Sequence, residues 1–451
     1  MNRTEFGHAR MWRVRGWRLA PLPMAILAVL AFAGTAGAAT PQRALIQARS
    51  GMVAIAHHSS GHKVKASAND AATRLAVASF SQLWSNPSEV VAPSFGTLVF
   101  TESAAALNDI GRLARASVPG LAHPTALILS ANRRVVQGVI AEARGGSKVL
   151  LRAANRQLAA GDRAGAAGRS VAAVAHYAAA WTGAFKALTQ LVTKAVTSVP
   201  RSAMAAAATN AIGSKQIGLA GPDILSHQPP LTLNGKPEIL YIGSEACPFC
   251  GVQRWGLIVA LSRFGKFSNL HLMQSLTTER PEVRTFTFYG SHYSSPYVSF
   301  VSVEATSNIP SGNGFAQLQP ISASQTQLFN TYDLQSTFPF VDVANVYTSW
   351  YSTISPQRIA GMNWTQIVKS LKRPNSAAAQ GVSGEAEVVT AELCSVTNGR
   401  PQSVCSSALV TQYQRGLPSM DGRGGGCPAA FAPNASRRRS GPLAGAARCH
   451  I

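Results

Sequence analysis

The chain has 451 residues, 46% of them apolar and 13% charged, with 41 Lys and Arg against 19 Asp and Glu. That is enough material for two or three globular units, and the formal charge of +22 favours anionic surroundings such as lipid headgroups or wall polymers. No nucleic-acid module, zinc-finger spacing or aromatic-interleaved basic patch accompanies the charge, so a nucleic-acid partner is not expected; a solvated basic surface or an anionic membrane or wall surface is.

Residues 1–38 have the order of a secretory signal. Arg3, Arg10, Arg13, Arg15 and Arg18 precede an uncharged stretch with its apolar core at Met24 to Phe32, and Ala36-Gly37-Ala38 follows as an A-x-A cleavage site. Leu19 to Ala39 carries no charge and is about long enough to span a bilayer, so an uncleaved anchor is the alternative. Either way the rest of the chain is expected outside the cytoplasm, secreted or membrane-anchored. Residues 39–123 give no defined pattern. Within them His57, His58 and His62 can bind a metal, but no carboxylate or cysteine reinforces them, so a solvated linker is expected.

Residues 124–198 read as helical. Ala, Leu, Val, Arg and Gln dominate, Gly145-Gly146 and Gly161 to Gly168 mark breaks, and Val171 to Val196 has an amphipathic pattern. A helical hairpin or small bundle is expected. From 199 to 406 the elements alternate. Asn234-Gly235 between short apolar runs signals a hairpin. Ile239 to Ile242 suits a buried strand and Gly251 to Phe264 a helix apolar nearly all round. Strands are predicted at Leu270 to Met273, Thr285 to Tyr289, Tyr297 to Val303 and Phe340 to Tyr347, with helices at Gln325 to Tyr332 and Trp364 to Leu371. The expected fold is an α/β, thioredoxin-like sandwich as the C-terminal domain, preceded by an Ala-rich, mainly helical region. Residues 407–451, with Gly424 to Gly426 and Arg437 to Arg439, read as a disordered basic tail holding Cys427 and Cys449.

The chemistry centres on Cys247-Pro248-Phe249-Cys250. Its spacing puts both sulfurs on one turn at a helix N-terminus, where unpaired backbone N–H groups and the helix dipole favour a thiolate, the form that attacks disulfides. Cys247, nearer the tip, is expected to form the mixed disulfide and Cys250 to resolve it. Glu245 opposes thiolate formation and Arg254 favours it. A structural disulfide at this motif stays open as an alternative, as does a zinc site completed by Cys394 and Cys405, although their ten-residue gap is unlike a zinc knuckle. Pro339, directly before a predicted strand, is expected to be the cis-proline that thioredoxin-like domains place against the CxxC, rather than an ordinary strand-initiating trans proline. Asn398-Gly399 and Pro401 make a turn that can close Cys394 and Cys405 into a stapling disulfide; a relay passing electrons to Cys247 and Cys250 is the sharper alternative.

Several stretches together resemble one known family. They are the run Asn234 to Cys250, Arg254-Trp255, Ala260 to Gly265, Phe286 to Gly290, Pro339 to Asp342 with Asn345, and the Cys394 to Cys405 loop. They resemble the bacterial and archaeal family called domain of unknown function 929, over roughly Val199 to Cys405. The resemblance implies a thioredoxin-like fold, CxxC chemistry and an exported or membrane-anchored setting, with Cys247, Cys250 and Pro339 as redox pair and apposed proline. It names no substrate. The expected activity is thiol–disulfide exchange with thiols and disulfides of exported proteins, needing no bound cofactor and drawing on an envelope redox partner. The alternative is a non-catalytic binding module with a structural disulfide, acting at the cell envelope.

Overall fold

The computed structural model describes residues 39–417 except 87–88, 91–92, 214–221, 226–227, 277–280, 334–336 and 351. The expected signal and the tail with Cys427 and Cys449 lie outside the described residues. The architecture is mixed α/β, a helical half followed by a half built on a mixed sheet.

The helical half holds α1 (Pro41–His58), α2 (His62–Ala78), short strands β1 (Trp84–Asn86) and β2 (Glu89–Val90), α3 (Pro93–Arg115), α4 (Ala122–Glu142), α5 (Lys148–Ala166), α6 (Ser170–Val196) and α7 (Arg201–Gly213). The N-terminal part of this bundle is the stretch that showed no sequence pattern. The reason is its core: Ala44, Ala48, Ala56, Ala68, Ala71 and Ala78 are all buried. Alanine permits close helix approach but gives little contrast between faces. His57 and His58 close α1 and His62 opens α2, so the expected linker is a three-residue turn within a helical hairpin. Among the described residues no group of three or more His, Cys, Asp or Glu is placed to hold a metal. The break expected over Gly161 to Gly168 falls at its far end, not at Gly161. The helix runs through it because a Cβ there would lie 2.5 Å from the Tyr177 ring, so glycine lets α5 approach α6; the chain turns at Gly168, with φ 72°. No helix among the described residues is long and apolar enough to cross a membrane.

The second half holds β3 (Asp223–Ile224), β4 (Thr232–Leu233), β5 (Lys236–Ser244), α8 (Pro248–Leu261), β6 (Lys266–Ser268), β7 (His271–Gln274), β8 (Arg284–Thr287), β9 (His292–Ser294), β10 (Ser299–Ser311) and β11 (Gly314–Gln317). It continues with α9 (Ala323–Tyr332), β12 (Phe340–Val343), β13 (Tyr347–Ser349), α10 (Trp364–Ser370), α11 (Ala377–Val396), α12 (Gln402–Cys405) and α13 (Ala408–Gly416). Seven strands form one sheet in the order β11-β10-β5-β12-β13-β3, with β4 on β5 through the Asn234-Gly235 turn. β10 runs parallel to β5 and β12 antiparallel to it.

The uninterrupted apolar run of β5 is explained by cover on both faces. Ile239 and Tyr241 join the cluster that includes α8 and α11, whereas Leu240 and Ile242 pack with Phe329 of α9 and Phe340. The strand expected over Phe340 to Tyr347 is instead a hairpin. Ala344 and Asn345 take positive φ (60° and 56°), and Asp342 Oδ1 accepts the Asn345 N–H at 2.7 Å. Order also continues past Cys405 into α13, where Tyr413 is buried and donates to the Ala208 carbonyl of α7.

One hydrophobic cluster runs through both halves. At the junction Phe185 of α6 meets Trp364 edge-on at 5.9 Å; the Trp364 indole N–H donates to Thr285 O at 2.9 Å, and the Arg284 guanidinium lies 4.4 Å over its ring. The boundary expected between residues 198 and 199 is therefore not a boundary in the core.

Candidate redox site at the N-terminus of helix α8

β5 leads the chain out of the sheet at Ser244, and a short turn delivers Cys247 as the N-cap of α8 with Pro248 in the first turn. Pro suits that position because its missing N–H has no intrahelical partner there. The Cys247 sulfur does the work of a capping oxygen: the Cys250 N–H donates to it at 3.3 Å. Cys247 is half-buried and Cys250 fully buried, and both are thiols.

The two sulfurs are electrostatically unequal. The Cys250 thiol, hydrogen-bonded to Cys247, holds Cys247 below the ordinary thiol range against the opposing effect of burial; the N–H groups of Cys250 and Phe249 and the charge of Arg254 act in the same direction. Burial, then the neighbouring Cys247, pushes Cys250 well above the usual thiol value. One sulfur is thus poised as a thiolate and the other as a proton-bearing partner, the asymmetry that exchange chemistry uses.

Pro339 lies on the adjoining segment. The Phe338–Pro339 bond is cis, and the Cys247 thiol donates to the Phe338 carbonyl at 3.6 Å. β12 begins at Phe340, so this segment is held against Cys247 by the pairing of β12 with β5. Phe338 also packs against Phe329 of α9, with ring centroids 5.6 Å apart.

Beneath the thiols lies a buried ion pair. Arg254, one turn beyond Cys250, donates through Nε and Nη2 to the two carboxylate oxygens of Glu304 on β10, at 2.9 and 2.6 Å. Both side chains are fully shielded from solvent. Nη2 donates a further bond to Ser244 O at 2.7 Å, and that same carbonyl accepts the Cys247 N–H at 3.3 Å. Arg254 therefore anchors the turn that carries Cys247 as well as contributing charge. Tyr241 completes this layer, with Arg254 5.9 Å from its ring centroid. Glu245 is held above the ordinary carboxyl range by burial, which reduces the negative charge expected to oppose the thiolate.

Glu304 was not picked out from the sequence. Its signal is a single carboxylate in an otherwise uncharged strand, matched by the single cation within the apolar helix that carries Arg254; isolated charges in buried elements need partners. Phe338 and Ser244 act through backbone carbonyls, which side-chain identity does not reveal.

Cys394 of α11 and Cys405 of α12 are joined as a disulfide, with Cα atoms 5.5 Å apart. The bridge removes them from any metal-ligand set with Cys247 and Cys250. Gln253 meets Glu385 of α11, whereas Arg263, thirteen residues past Cys250, meets Glu387 and Thr390. Cys394 follows beyond these. At ~1.5 Å per residue the bridge lies toward the far end of the α8–α11 contact, some 20 Å along from the thiols, which suits a staple of the α11–α12 turn rather than a direct relay.

Residues 225–395 match the profile of a domain of unknown function (DUF929). The match takes in Cys247, Cys250, Pro339 and Cys394 and ends before Cys405. Among curated proteins and among solved structures, none matches the chain.

Proposed function

We propose that the chain is an exported thiol–disulfide oxidoreductase built on a thioredoxin-like domain, with Cys247 as attacking thiolate and Cys250 as resolving thiol. The observation that carries this is the inequality of the two sulfurs: a half-buried helix N-cap favoured as a thiolate, one turn from a fully buried thiol favoured as protonated. A thioredoxin-like topology is supported by the CxxC-bearing strand β5 lying between parallel β10 and antiparallel β12, by the β12–β13 hairpin, and by the cis-proline entering β12 beside Cys247. Export is supported by the order of charged, apolar and small residues over 1–38.

In the reducing direction the Cys247 thiolate attacks one sulfur of a substrate disulfide. The substrate S–S bond breaks, one substrate thiolate leaves, and a mixed disulfide forms at Cys247. Cys250 then loses its proton and attacks Cys247 Sγ. The mixed disulfide breaks, the second substrate thiolate leaves, and Cys247–Cys250 remains as an intramolecular disulfide. Two electrons pass from the protein to the substrate. The reverse sequence oxidises a substrate dithiol, and an envelope dithiol–disulfide partner of suitable potential restores the starting form. Thiols and disulfides of exported proteins are the substrate class.

The test is exchange with a disulfide-bonded model protein. Cys247→Ser should abolish exchange, and Cys250→Ser should accumulate a mixed disulfide through Cys247 that runs as a higher band on non-reducing electrophoresis. Wild-type protein that exchanges with no model disulfide, or a Cys250→Ser variant that traps nothing, would sink the proposal.

A further inference from the structure

The excess positive charge is unevenly placed. Residues 41–213 carry 18 Lys and Arg against 6 Asp and Glu, whereas residues 214–417 carry 13 against 11. Within the helical half the excess is ordered on α5. At 100° per residue, Lys148, Arg152, Arg156 and Arg163 fall within an arc of about 80°, along roughly 22 Å of helix. All four are exposed, and none makes an ion pair or side-chain hydrogen bond among the described residues. The one acidic residue of α5 and α6, Asp162, borders this arc and is occupied by Arg133 at 2.8 and 3.0 Å and by the Tyr177 hydroxyl at 2.9 Å. Val149 lies beside the ridge and is 73% exposed.

The turn after α5 adds an apolar feature. Arg169, together with Arg115, lines a cleft of about 1080 Å³ whose walls include Leu107, Ile110, Leu121 and Val171. Four cations spread along one face of a helix do not enclose a single small anion. They match a surface that repeats negative charge.

We infer that the α5 ridge docks the protein on an anionic lipid bilayer, with the guanidinium groups on headgroup phosphates and the neighbouring cleft available to an acyl chain. Charge complementarity supplies the attraction. The apolar cleft is what distinguishes a lipid from a nucleic acid or a wall polyanion, neither of which has an alkyl chain to place there. The assignment does not depend on the thiol chemistry.

The test is sedimentation of the full chain with vesicles of phosphatidylcholine alone or with phosphatidylglycerol at three parts in ten. The N-terminal segment is common to wild type and variant, so their difference reports the ridge. With each cation near such a surface contributing on the order of fivefold, Lys148→Gln/Arg152→Gln/Arg156→Gln/Arg163→Gln should weaken binding to the anionic vesicles at least about tenfold. It should leave binding to neutral vesicles and disulfide exchange unchanged. Should the quadruple variant lose its far-ultraviolet helix signal, Arg156→Glu alone serves, with a several-fold loss expected. Equal binding of wild type and variant to anionic vesicles would overturn the assignment. So would displacement of the wild type from vesicles by duplex DNA at equal phosphate, which would point to a polyanion instead.

Discussion

The two halves of the molecule handle charge in opposite ways. The helical half holds most of the excess cations and leaves them in water, while its core is built on alanine; among its described residues Asp109 is the charged side chain that is buried. The sheet half is nearly balanced in charge yet buries Arg254, Arg284, Glu304, Asp342, Glu385, Glu387 and Glu392. Burying charge is costly unless each group is paired or neutralised. The sheet half meets that cost with two ion pairs, Arg254–Glu304 and Arg263–Glu387, with the Trp364 ring against Arg284, and by burial that favours the neutral forms of Asp342, Glu385 and Glu392. The proposed chemistry sits in the half that accepts buried charge, and the proposed docking surface in the half that avoids it.

The pH dependence of stability should show this difference most strongly. Burial raises Asp342 and Glu385 to about 7 and Glu392 in the same direction. In the unfolded chain these carboxyls ionise near 4, so between about pH 4 and 7 the unfolded state releases protons that the native state keeps. Stability from these groups is therefore complete below pH 4 and is lost as pH rises to 7, by on the order of 3 kcal/mol for each of Asp342 and Glu385. The urea midpoint should be higher at pH 5 than at pH 8. Glu385→Gln should flatten that slope, and a midpoint that rises with pH would contradict the protonated assignment.

Arg254→Met leaves Glu304 buried without its cation. A loss of about 3–5 kcal/mol is expected from removing one partner of a buried pair. Pairing it with Glu304→Leu should restore much of the stability but leave the Cys247 thiol somewhat higher than in the wild type, because the charge of Arg254, a lesser contributor beside the Cys250 hydrogen bond, and its anchor on Ser244 O are both gone. Thiolate absorbance against pH in the double variant separates these roles. A Cys247 titration identical to wild type would show that Arg254 serves the fold alone.

The smallest effect tests whether the halves are separable. A Cβ on Gly96 would sit 2.2 Å from the Trp181 ring, which stacks on Phe185, which in turn meets Trp364. Gly96→Ala should cost about 1–3 kcal/mol by overpacking. Because the core is continuous, helix loss and Cys250 exposure to alkylation should occur at the same urea concentration. Two separate transitions would divide the molecule between α7 and β3.

The difference between the halves also explains what could be seen in advance. The strand, turn and helix around Cys247 were legible because each carries a local signal: an apolar run, Asn-Gly, and proline at a helix start. The first two helices were not, since alanine on every face blurs the period that marks an amphipathic helix. α11 was missed for the opposite reason. Its twenty residues are buried from Ala378 to Cys394 apart from Gln380, with three glutamates among them, so no polar face announces it. The Phe340 to Tyr347 run read as one strand because the positive φ at Ala344 and Asn345 comes from a side-chain-capped turn without glycine. Glu304 needed its distant partner, 50 residues away, before its burial made sense.

Whether Cys247 and Cys250 turn over or merely staple the turn is decided by their equilibrium reduction potential. The measurement is the fraction of dithiol, read by quenched alkylation, across glutathione buffers at pH 7. A pair with an exchangeable, partly accessible sulfur should equilibrate at a potential above about −300 mV. A value below that, typical of structural disulfides, would mean that the pair is locked and the exchange mechanism is wrong.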